Sequence, residues 1–272
     1  MLDQPMDQEA ESPEMSFLDH LEILRWHIIR SLIAVVAMTT VALFSRKILV
    51  AIIMGPTDLS FWTYRKLCEL STWAGTSSFC IESLDFTLIN REMMGQFTQH
   101  LVLSIFAGFI LAFPYILFEL WRFLKPALSG KERNYVRGVV FFGSLLFFLG
   151  ILSGYYLLAP VSIQFLANYT FIETLENTID LRSYMSLVTL ICLASALVFE
   201  LPIVVYFLAK ANLITPALMK KYRKHALVVI LVISAIITPP DVLSQLLLTI
   251  PFFILYEISI FVAAFVQKRR VD

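Results

Sequence analysis

The chain has 272 residues, of which 58% are hydrophobic, 14% aromatic and only 15% charged, with a formal net charge of zero. That balance excludes a global basic field for nucleic acid, and its continuous apolar runs of about 20 residues mark a bilayer rather than a soluble core. His20, His27, His100 and His225 are scattered, with no HExxH spacing and no serine nucleophile elbow, so neither a metal, a cofactor nor an enzymatic activity is expected.

The N-terminal residues 1–15 carry five acids and no basic residue, which reads as a disordered polar tail rather than a cleaved signal. Ser16-Phe17-Leu18-Asp19 opens the first helix in capping-box form. Phe17, Leu18, Leu21 and Leu24 then make an apolar stripe, with His20, Glu22 and Arg25 on other faces. Two readings stand: an interfacial helix start with a Glu22–Arg25 pair, or a docking surface for another segment.

The first span is predicted over 26–44, followed by a polar connection over 56–96. Cys68 and Cys80 share that connection and either pair or remain two free thiols, while Cys192 lies in an apolar span. Further spans are predicted over 100–123, 136–158, 184–209, 226–237 and 242–266. The fifth would rise only ~18 Å, well short of the ~30 Å hydrocarbon core. Only four residues separate it from the sixth, so the last two form a short, shallow hairpin. Prolines at 114, 126, 160, 202, 216 and 251 bend the spans. The expected fold is an all-α polytopic membrane protein of six transmembrane helices kinked into a concave bundle. It forms one domain over 16–267, with a short tail at 268–272.

Basic residues orient it. With both termini in the cytoplasm, 15 Lys and Arg lie inside and 6 outside, and the positive-inside rule therefore gives N-in and C-in. The cysteine-bearing connection then faces the outside, where disulfides persist.

Four intramembrane or membrane-edge polar residues stand out: Glu200, Asp241, Gln245 and Glu257. An ionisable group inside a span is costly unless it faces protein or a wet cavity, so it marks a functional site. Glu200, immediately before Leu201-Pro202, either pairs within the fold, for instance with Gln245, or meets the polar side chain of a partner helix. Glu119, among aromatics and three residues from Arg122, reads as an interfacial ion pair. A proton-coupled secondary transporter also holds intramembrane carboxylates, but no repeated half or matching pair of broken spans is visible.

FLDHLEILR at 17–25, FLKPALSGKER at 123–133, FELPIV at 199–204 and ITPPDVLSQLLLTIPFFILYEISI at 237–260 resemble TatC, the multispanning core subunit of the twin-arginine protein translocase. The resemblance implies a receptor for signal peptides bearing two adjacent arginines. It also implies recruitment of single-span TatA/TatB-type subunits, self-association in a larger complex, and export of folded proteins across the cytoplasmic inner membrane on the proton-motive force. The family's signal-binding residues carry over to His20, Leu21, Leu24 and Arg25, then Phe123, Pro126 and Glu132. One position departs: the family's glutamate is Ile23 here, and the acid is Glu22 instead. One residue turns a helical side chain by about 100°, so Glu132 is expected to carry most of the arginine binding.

Overall fold

A computed structural model describes residues 17–73, 80, 86–124, 136–172, 178–237 and 242–271. Helix α1 (Phe17–Phe44) joins the capping stripe and the first span into one continuous rod. It packs chiefly on α4 (Gly95–Leu124). Beyond its charged first turns the surface it leaves open is mostly apolar, with Trp26, Ile28, Leu32, Ile33, Val36 and Val41 all exposed. Such a face suits lipid, where an exposed leucine costs nothing. No ion pair joins Glu22 to Arg25 among the described residues, and both side chains are exposed.

Between α1 and α4 the sequence reading left only a polar connection, and the structure fills it. Helix α2 (Arg46–Met54) leads through a 3₁₀ turn at Gly55–Thr57 into α3 (Trp62–Trp73). Tyr64 pins this cap, donating to the Pro56 carbonyl at 2.9 Å from a buried site that pushes its phenol above the ordinary tyrosine range. Strand β1 (Thr87–Ile89) pairs in parallel with β2 (Thr178–Asp180), Leu88 opposite Ile179. Cys68 and Cys80 are joined by a disulfide.

The third span differs from expectation. Helix α5 (Val136–Ser153) does not stop at residue 158 but passes through a π turn at Gly154–Leu158 into α6 (Ala159–Asn168). Pro160 reads as a stop in the sequence. Here it occupies the first turn of α6, where its missing N–H costs little, and the wider π turn absorbs the mismatch. Helix α7 (Leu181–Phe199) breaks at Glu200 and restarts as α8 (Leu201–Lys210), with Pro202 in the first turn. After α9 (Pro216–Lys221), α10 (Arg223–Ile237) has 15 residues, about 22 Å of rise. Helix α11 (Val242–Val271) runs through Pro251 without interruption.

Among the described residues five stretches are long and apolar enough to cross a membrane: Leu21–Phe44, Gly95–Phe123, Gly138–Asn168, Leu181–Lys210 and Leu248–Lys268. Helix α10 is apolar but short, as the sequence indicated.

Small residues set the helix contacts, since tight packing rather than apolar burial holds helices together in lipid. A Cβ on Gly108 of α4 would lie 2.5 Å from the Thr39 amide nitrogen of α1. A Cβ on Gly150 of α5 would lie 2.5 Å from the Ala196 Cα of α7. Backbone, not a flexible side chain, blocks both sites. Gly150→Leu should therefore push α5 off α7 and destabilise the protein by about 3 kcal/mol, the upper end for overpacking. Thermal unfolding in detergent measures it, and an unchanged midpoint would refute the contact.

Candidate functional site

Because α1 and α4 run antiparallel, the start of α1 and the end of α4 meet at one end of the bundle. His27 and Glu119 define that meeting. The His27 Nδ1–H donates to Glu119 Oε2 at 2.5 Å, across 92 residues of sequence. Glu119 is 1% exposed and His27 is buried with it. Two guanidinium groups stand further off, Arg30 at 4.0 Å from Oε2 and Arg122 at 3.9 Å from Oε1, at the outer limit of an ion pair. The pair with Arg122 expected from the spacing is present at its outer limit, and Glu119 is in addition the hub of a buried polar cluster with His27.

The predicted surface residues surround this hub. The Phe123 ring lies edge-on to the His27 ring at 6.0 Å between centroids. Leu24 and Ile23 precede His27 by three and four residues, so they share its side of α1, and both are half-buried. Glu22 lies about 140° round the helix from His27 and is exposed, as are Leu21 and Arg25. The side chain of His20, and Pro126 and Glu132 altogether, lie outside the described residues. The structure therefore brings Leu24 and Phe123 to one end and leaves Glu22 off the shared face.

The intramembrane residues do not form one group. Glu200 is 8% exposed at the α7–α8 break, and its Oε1 has no hydrogen-bond partner among the described residues. Its other oxygen faces Gly143 of α5, at 3.6 Å from where a Cβ would stand, in a site shared with Leu117 and Ile203. Pairing of Glu200 with Gln245 is not what the structure holds: the Gln245 amide donates to the Leu231 carbonyl at 3.1 Å, tying α11 to α10. Glu257 is bonded by Arg223 at 2.7 Å, and a carboxylate so occupied is no partner for Glu200. Asp241 lies outside the described residues.

Sequence reasoning missed His27 and Arg30. The available signal was a histidine inside one apolar span and a glutamate inside another, each an unlikely lodger in lipid unless the two meet. Among the described residues no group of His, Cys, Asp or Glu is arranged to hold a metal.

Comparison with known proteins identifies the family. The family model described as Sec-independent protein translocase protein (TatC) matches residues 19–251. The chain is 38% identical to the TatC protein of Blattabacterium sp. subsp. Periplaneta americana over 263 residues, covering 96% of this chain and 99% of that one. It is 34% identical to TatC of Aquifex aeolicus, covering 95% and 98%. A crystal structure of the twin-arginine translocase receptor TatC superimposes with a TM-score of 0.69 at 32% identity, over 91% of this chain and 99% of that one. A chain matched over almost its full length in sequence and in fold, with several apolar spans and the family's motifs in order, is a multi-pass membrane protein that belongs to the TatC family of protein-transport components, not to an enzyme family.

Proposed function

We propose that this chain is the signal-peptide receptor of a twin-arginine translocase in the cytoplasmic membrane. With α10 counted as a sixth span both termini share one side, which the distribution of basic residues makes the cytoplasm, and residues 16–267 act as one membrane domain. The end of the bundle bearing Leu24 and Phe123 receives the arginine pair of a folded cargo's signal peptide, with Glu132 as its main carboxylate. Single-span TatA/TatB-type subunits dock on the spans, further copies of the chain join the complex, and the proton-motive force drives passage. The reading is carried by one observation: α1 and α4, locked by His27 and Glu119, hold Leu24 and Phe123 on a common surface. A transporter mechanism gains no support, since Glu257 and Gln245 are each bonded locally rather than assembled with Glu200 into a polar path.

Photocrosslinkers placed at Leu24 and Phe123 test the receptor role in membranes containing the single-span subunits. Both should capture a twin-arginine peptide and release it when the two arginines are replaced by lysines, because a guanidinium fork matches a carboxylate in a way an ammonium does not. Equal capture of the lysine peptide would overturn the assignment.

A further inference from the structure

The cluster beneath the Leu24–Phe123 surface has a charge problem for a receptor of arginines. Arg122 adjoins Phe123 in sequence, and Arg30 lies six residues from Leu24 on α1. Their side chains are 56% and 44% exposed, so both fields reach the surface. A cationic peptide settling there meets two resident cations of its own sign. The only carboxylate that the described ion pairs set against either of them is Glu119, which faces Arg122 with one oxygen and Arg30 with the other. At about 4 Å neither guanidinium makes the short forked bond that would make this a structural salt bridge. The fold-holding bonds of Glu119 come instead from His27 and from the Tyr115 hydroxyl.

We propose that Glu119 masks Arg30 and Arg122, one buried carboxylate cancelling part of two half-exposed positive charges, so that a twin-arginine segment can approach the Leu24–Phe123 surface. Glu119 is on this view a positioning and specificity residue that acts through the field of its neighbours and never touches the peptide. The arrangement also bears on Ile23. That position, where the resembled family carries an acid, is half-buried one turn from His27, on the His27 side of α1. The negative charge absent at Ile23 is supplied one turn deeper by Glu119. The inference rests on reading this end as the signal-peptide surface.

The test uses the full chain in nanodiscs, a fluorescent twin-arginine peptide and a salt series. Glu119→Gln keeps the shape and an oxygen to accept the His27 N–H, but removes the charge. Unmasking roughly one charge about a helix diameter away, at a half-hydrated interface, should weaken binding about fivefold at low salt. The loss should fade as salt rises toward about 0.5 M, where the Debye length falls to roughly 4 Å. Adding Arg122→Gln to Glu119→Gln should restore most of the affinity. A loss that persists at high salt, or that Arg122→Gln does not rescue, would mean that Glu119 serves packing alone. Should Glu119→Gln fail to fold, Arg122→Glu in the parent decides instead: it should tighten binding severalfold at low salt, and unchanged affinity overturns the proposal. Failure of the receptor reading is separately visible, because the parent chain would then give no crosslinks at Leu24 or Phe123.

Discussion

Glu132→Lys should abolish capture of a twin-arginine peptide while leaving expression and membrane insertion intact. A carboxylate that accepts forked bonds from guanidinium contributes about 1.5–3 kcal/mol through each charged hydrogen bond. Its loss alone predicts roughly a hundredfold fall in affinity. Reversal adds repulsion on a side of the bundle already carrying Arg30 and Arg122. The consequence is larger here than the general rule implies, since Ile23 supplies no second carboxylate and Glu22 lies off the shared face. Peptide crosslinking together with protease mapping of topology checks it: binding equal to the parent would remove Glu132 from the site.

Glu200→Ala should leave folding and peptide binding in place yet stop export, by at least about tenfold in rate, or about 1.4 kcal/mol. The argument turns on sign. A buried carboxylate oxygen with no partner among the described residues costs the isolated chain about 1–3 kcal/mol, so removing it should raise the unfolding midpoint in detergent or leave it unchanged. Loss of export without loss of stability would mean that Glu200 finds its partner elsewhere, on a polar group of a docked subunit. Glu200→Gln retains hydrogen-bonding capacity and should keep partial export. Export of a folded reporter, with crosslinking from position 200 to the single-span subunits, decides the matter; wild-type export by the alanine variant would remove the role.

The spans were legible in the sequence because a run of apolar residues means the same thing in any tertiary context. Glu200 was legible for the complementary reason: one charge in such a run needs an explanation. What escaped depends on register between distant segments. Pro160 looks like an end until the π turn beside it lets the helix continue. Glu119 has an obvious neighbour at Arg122, and nothing along the chain indicates that its real partner is His27. The β1–β2 pair joins two three-residue strands nearly a hundred residues apart, too short to carry a periodic signal. The residues proposed for the site could thus be named from the sequence, but which of them meet across α1 and α4 could not.

The His27–Glu119 bond also has a meaning for how the protein is made. During synthesis α1 enters the bilayer well before α4, because the cap that separates them must be completed first. Through that interval the His27 imidazole sits inside an apolar helix before Glu119 has been made, and the matching carboxylate arrives with α4. Two polar groups stranded singly in hydrocarbon are poorly placed; together they are satisfied, and their pairing favours α4 as the neighbour of α1. About three turns along α4 from that bond, Gly108 lets the two backbones close at Thr39. The α1–α4 pair is in this way matched by chemistry as well as by shape.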